Sequence, residues 1–357
     1  MIRRGCALFA GCLTTALVLS LNLPAHGQES SAINTPEHRI SITPGVMDRA
    51  QAGDARDLRT HALPANTPAA KAIRAVELAK RLQENAQEAE PQTVVPNLAS
   101  PSFYPEDLVY SKGSLVKNAQ FHDVYVNCTT VSTCWGNPAG FLTDLGKSSF
   151  IHITDQYVGT TANNRYILGA GAFVTYSFSG NILFETDIVT IVHAVAQNLK
   201  NSGYGHIFHV YLPQGTDTCF NNGTQCYSPD NPSTFFFCGY HSSVTFNDIG
   251  HVLFTVEPYQ NVPGCKVAAP NPNGPVTDST NSVLSHETFE TITDPDPSSG
   301  WTNLTSLSLE GEEIGDECQP LANSASAALD PTFAINGKNY EVQLEYSNFY
   351  HACVSFP

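Results

Sequence analysis

Residues 285–295 read SHETFETITDP and hold the side chains whose types and spacing could do chemistry. His286 and Glu290 are four apart, so on a helix they point the same way, one turn above the other, with Glu287 beside them. An imidazole and a carboxylate so placed can grip one divalent cation. Where a zinc helix reads H-E-x-x-H, the histidines bind the metal and the intervening Glu takes a proton from the attacking water. Glu290 in place of the second His keeps a ligand, since carboxylate oxygen coordinates zinc at about 2.0–2.2 Å. It also makes the site harder and more negative, which brings in calcium and manganese as competitors to zinc. The bland reading of the same residues is a solvated acidic helix face with an incidental histidine.

A further ligand is required. GEEIGDEC, residues 311–318, offers Glu313 or Asp316 next to a cysteine that would fix their positions. Asp294 and Asp296 in TDPDP are alternatives, although an Asp before Pro serves a turn without any further role. His241 in FCGYHS is tethered by a neighbouring cysteine and could line the site. His206 and His209 are three apart, and on a strand they would face opposite sides, which argues against a shared metal.

The elements that must position these residues follow from the hydrophobic pattern. Residues 280–293 suit a helix, with Asp278 or Ser279 as cap and Asp294-Pro295 closing it. Val283, His286, Glu287, Glu290 and Asp294 form one stripe of that helix, and most of it is ionisable, so burial of the stripe demands a partner or a metal. ETDIVTIVHAVAQNLKNSG, from residue 185, places Ile188, Ile191, Val192, Val195 and Leu199 on one helix face. FHDVYVNC, SSFIHITDQYV, HIFHVYLP and HVLFTVEPY read as strands. Strands and helices intermix without a steady alternation, which predicts an α+β domain with a mixed sheet and an active-site helix.

The flanks predict export. MIRRGCALFAGCLTTALVLSLNLPAHG, residues 1–27, has the basic start, apolar run and small-residue exit of a signal peptide. No later segment approaches the ~18 consecutive apolar residues of a membrane span. Cys6 and Cys12 leave with the signal, and an even set remains: Cys128, Cys134, Cys219, Cys226, Cys238, Cys265, Cys318 and Cys353. In an exported chain these read as disulfides. The short spacings favour Cys128–Cys134 and Cys219–Cys226, leaving Cys238–Cys265 and Cys318–Cys353. Without the signal's two arginines, 15 of the 17 Lys and Arg face 33 acids, a net charge of −18, which excludes nucleic acid and anionic membranes as partners. Residues 28–65 show no sustained period and are expected to lack regular structure; residues 68–90 predict a lone amphipathic helix, and a linker follows to residue 103. The domain is expected at residues 104–357, with the segment 28–100 dispensable for its fold.

FCGYHS, then Gly264-Cys265, PNG, SHETFETITDP and EEIGDEC occur in that order, preceded by FHDVYVNC and FIHITDQYVG. This ordered set resembles the phosphate-induced/Exordium-like family of secreted proteins, especially its bacterial members, over roughly residues 104–353. The resemblance implies an exported, disulfide-bearing protein with a His-Glu-x-x-Glu helix followed by a Thr-Asp-Pro or Thr-Asn-Pro turn. Asn at the position of Asp294 in some members shifts the third ligand to Glu313 or Asp316. The helix alone is similar to that of zincin peptidases. The expectation is therefore a single zincin-like domain: an exported metal-dependent hydrolase acting on a peptide or cell-wall-associated substrate. One divalent metal, zinc first, sits on His286, Glu290 and one of Glu313 or Asp316, with Glu287 as general base. Its rivals are an extracellular or envelope protein in which these residues hold a structural metal, and an interaction module with no metal.

Overall fold

The computed structural model describes residues 38–43, 55–73, 75, 104, 107–220, 223–303, 313–319 and 330–357. The expected signal peptide and most of the expected linker lie outside these residues.

A mixed, eight-stranded sheet organises the chain. In chain order its principal strands are β1 (His38–Ile42), β2 (Arg56–Pro64), β3 (Ala119–Val126), β4 (Ala172–Tyr176), β5 (His206–Tyr211), β6 (Phe237–Phe246) and β7 (Gly250–Glu257). Their spatial order is β1-β4-β3-β5-β7-β6-β2, and a short strand, Tyr166–Leu168, pairs with β3 off this path. Only β6 runs against its neighbours; the other pairings along the path are parallel. The α+β class with a mixed sheet is therefore observed. A helix lies on each face: α1 (Glu185–Leu199) and α2 (Pro275–Thr293).

The strands alternate between two cores, as period-2 geometry requires. Val124, Val126, Phe208 and Val210 pack with Ile188, Val192 and Val195 of α1. Phe121, Tyr125, Ile207 and Tyr211 pack with Leu284, Phe289 and Ile292 of α2. Leu284, Phe289 and Ile292 are fully buried, each worth roughly 1.5–3 kcal/mol of burial.

Two corrections concern segments read differently from sequence. Residues 28–65 were expected to lack regular structure, yet they supply β1 and β2. β1 pairs in parallel with β4, and β2 pairs with β6, so the sheet starts well before residue 104. Without them β4 and β6 would present open hydrogen-bonding edges. The helix expected at residues 68–90 does start at residue 68, where the Thr67 hydroxyl accepts from the Ala70 N–H and donates to the Phe235 carbonyl. Its remainder beyond residue 75 lies outside the described residues. SSFIHITDQYV, expected as a strand, is a 3-10 turn (Phe150–Thr154) running into a short helix (Asp155–Val158). Ser148 and Thr154 hydroxyls bond to carbonyls three residues back, and this local bonding overrides β-branched propensity.

All four expected disulfides are present: Cys128–Cys134, Cys219–Cys226, Cys238–Cys265 and Cys318–Cys353. Among the described residues, no helix is long and apolar enough to cross a membrane.

Candidate metal centre

α2 begins five residues earlier than the sequence pattern suggested, with Pro275 in the first turn after Gly274, whose φ of 94° is open to glycine. Asp278, rather than capping, sits in the first turn and accepts from the backbone and side-chain nitrogens of Asn273. Every residue from Asp278 to Thr293 is buried. So polar a helix survives burial because Thr280, Thr288, Thr291 and Thr293 each donate to the carbonyl one turn back. The carboxylates have no such remedy.

The helix ends at Asp294, whose carboxylate accepts from the backbone N–H groups of Ser298, Ser299 and Gly300. That occupation makes Asp294 a turn residue. Asp296 lies away from the centre, taking the Tyr204 hydroxyl at 2.6 Å and facing His251 at 2.9 Å. Neither expected alternative is a ligand candidate.

Facing α2, the sheet carries a polar row in register. His61 on β2 pairs with His241 on β6, His241 with Thr255 on β7, Thr255 with His209 on β5, and His209 with Asp123 on β3. His206 points to the other face, where it meets His122 at 2.9 Å, so the two histidines of HIFH do part company. The first two members of the row, His61 and His241, lie under the motif helix with ring centroids 5.6 Å apart. Close approach of helix to sheet depends on Gly239, where a Cβ would stand 2.7 Å from Val283 Cγ1 and 2.9 Å from Glu287 Oε1.

Glu290 occupies the middle of the cluster. Its Oε1 is 2.9 Å from His286 Nε2, and its Oε2 is 3.5 Å from His241 Nδ1. Asp316, on the turn Asp316–Cys318 anchored by the disulfide to Cys353, reaches in from the other side. Its Oδ1 is 3.8 Å from His286 Nε2 and its Oδ2 is 2.6 Å from His61 Nε2. Glu313 spans the two sheet histidines, with Oε1 3.3 Å from His61 Nδ1 and Oε2 3.6 Å from His241 Nε2. Of the two acids left open as third ligand, Asp316 thus meets His286 and Glu290, while Glu313 contacts His61 and His241. Glu287 turns toward β6, with Oε2 3.5 Å from His241 Nδ1.

His61 went unrecognised in the sequence because it lies in a segment read as structureless; only the weak alternation of RDLRTHALP hinted at a strand.

The centre is buried and short of hydrogen bonds. His241 Nδ1 and both carboxylate oxygens of Glu287 and Glu313 are buried without a hydrogen-bond partner, and the His286 Nε2–Glu290 Oε1 pair, though 2.9 Å apart, lacks hydrogen-bonding geometry. Leaving one such atom unsatisfied ordinarily costs about 1–3 kcal/mol, more if charged. Cation-sized groupings of His61, Glu290 and Asp316, and of His241, Glu287 and Glu290, place their donor atoms within 4.8 Å of one another. The donors present, imidazole nitrogen and carboxylate oxygen, are those of zinc and manganese sites. The orphaned atoms fit a metal.

Electrostatics sort the acids into two kinds. Burial, reinforced by the charge of Glu290, pushes the Glu287 carboxyl well above the ordinary range; burial and the charges of Asp294 and Glu290 do the same to Glu313. Burial also works against the Glu290 carboxylate, but His286 outweighs it and holds this acid low. Burial likewise disfavours imidazolium, yet Glu290 raises His286, and Asp316 raises His61 to about 9.

Gln343 lies on the far side of His286, its amide nitrogen 3.2 Å from Nδ1 and donating to the Gly315 carbonyl.

No family model matches the chain, and no curated protein and no solved structure matches it.

Proposed function

We propose that the chain is an exported metal-dependent hydrolase, a peptidase built on the His286-Glu287-x-x-Glu290 helix, acting on a peptide or cell-wall-associated substrate. In this reading His286, Glu290 and Asp316 hold one divalent cation, zinc first, with His61 at the fourth side. When bound, the cation would polarise the scissile carbonyl and the attacking water. Glu287, next to His286 on the motif helix, would accept that water's proton and pass it to the leaving amine.

The observation that carries the reading is the set of buried, unpartnered imidazole and carboxylate atoms around Glu290. Four disulfides agree with an extracellular setting. The order of FCGYHS, SHETFETITDP and EEIGDEC supports kinship with Exordium-like secreted proteins, and the one helix supports an analogy with zincins.

Complete burial of His241, His286, Glu287 and Glu290 favours a second reading, a structural metal in a non-catalytic extracellular protein, because structural sites are closed and catalytic ones keep an open position. Metal analysis of the purified chain, followed by a peptide-library digest, separates the two. Bound metal with cleavage supports the hydrolase; bound metal without cleavage supports the structural protein. A chain that purifies and refolds without metal sinks both.

A further inference from the structure

We infer that the centre takes two divalent cations rather than one, with Glu290 bridging them. This deepens the proposed metal site and rests on it.

The two oxygens of Glu290 look in different directions. Oε1 faces His286 Nε2 at 2.9 Å, and with Asp316 and His61 it makes the first position. Oε2 faces His241 Nδ1 at 3.5 Å, with Glu287 Oε2 also 3.5 Å from that nitrogen. His241 Nδ1, Glu287 Oε2 and Glu290 Oε2 therefore converge on a second position whose donors share only Glu290 with the first. A carboxylate spanning two cations about 3.5–4 Å apart is the arrangement of two-metal hydrolytic sites.

The atoms of the second position are unpartnered. His241 Nδ1 and the carboxylate oxygens of Glu287 and Glu290 are fully buried and make no hydrogen bond, although a cation at the first position would engage only Oε1 of Glu290. The other face of His241 is organised as for a ligand. Its Nε2 lies 3.1 Å from the Asp294 carbonyl and 3.6 Å from Glu313 Oε2. A proton on Nε2, donated to that carbonyl, leaves Nδ1 as the lone-pair nitrogen turned toward Glu287 and Glu290.

Glu287 would bind the second cation through Oε2, the oxygen that faces His241 Nδ1, and leave Oε1 free.

The ligand class is a first-row divalent cation accepting one nitrogen and several oxygens, and Mn²⁺ is the probe. The full exported chain, stripped with chelator, is titrated with Mn²⁺ and followed by equilibrium dialysis and electron paramagnetic resonance. Two equivalents are expected, with the spectrum of the first changed by magnetic coupling when the second enters. His241→Ala is expected to bind one equivalent with an uncoupled spectrum; Glu313→Gln, which leaves every proposed ligand in place, should still bind two. A wild-type stoichiometry of one overturns the second position and leaves the single-metal reading standing. A stoichiometry of zero overturns both. Two uncoupled equivalents overturn the bridge. These wild-type outcomes hold even if His241→Ala fails to fold.

Discussion

Gly315 and His286 are packed so closely that a Cβ on the glycine would stand 2.3 Å from the ring's Nδ1. The backbone that carries Glu313 and Asp316 to the centre is thus fitted against the imidazole it serves. Gly315→Ala is expected to push the ring off its position, costing about 1–3 kcal/mol of stability through overpacking and roughly 10–100-fold in cation affinity. Calorimetric metal titration beside a thermal melt checks both. Unchanged affinity would show that the ring has room to spare.

Glu287→Gln should retain at least one equivalent of metal and melt near the wild type, since Gln has almost the same shape. Hydrolysis should fall about 10²–10⁴-fold, the usual worth of a general base. His286→Ala should instead lose metal and stability together. Equal peptide cleavage by wild type and Glu287→Gln at equal metal loading would remove Glu287 from the chemistry.

His61→Ala in the full chain should weaken the first cation roughly 10–100-fold while leaving the disulfides intact. A chain starting near residue 101 loses β1, β2 and His61 at once, and it should aggregate through the exposed edge of β6. Light scattering of refolded protein distinguishes this from the independent domain that the sequence pattern suggested.

Asp296 has a folded-state pKa near 2, although burial opposes ionisation; His251 at 2.9 Å and the Tyr204 hydroxyl outweigh it. A depressed carboxylate stabilises above its unfolded pKa of about 4 and loses that contribution as pH falls through 2. Asp296→Asn should therefore be less stable than wild type at pH 5–7, by about 1 kcal/mol after allowance for solvent screening. The gap should narrow below pH 4. A gap independent of pH, measured by urea unfolding, would rule out this origin.

Removing the Cys318–Cys353 bridge, which closes a separation of 35 residues, should cost about 2–5 kcal/mol. It should also weaken metal binding, because Asp316 loses its anchor. Thiol titration of the denatured, unreduced chain lacking residues 1–27 should find no free cysteine.

The motif helix and its acidic stripe were legible because spacing four apart has one meaning on a helix, whichever residues surround it. His241 and the tethered Asp316 were legible through their cysteines. His61 was not, because a strand at a sheet edge needs little apolar periodicity of its own: of RDLRTHALP only Leu63 is buried, and the pairing with β6 supplies the rest. Nor does the sequence say that the threonines of α2 bond to their own backbone, which lets so polar a helix lie inside from Asp278 onward. The residues 148–158 misled in the opposite sense, since Ile and Thr density describes a preference that Ser148 and Thr154 hydroxyls locally cancel.

His61 and Asp316, in contact at 2.6 Å, are separated by 255 positions along the chain. A long stretch of polypeptide must be gathered before these two side chains can meet, and closing so large a loop carries an entropic cost. Uptake of the proposed cation would then signal completed tertiary structure, so that a chain nicked or stalled short of the native sheet would carry these side chains but not the trap.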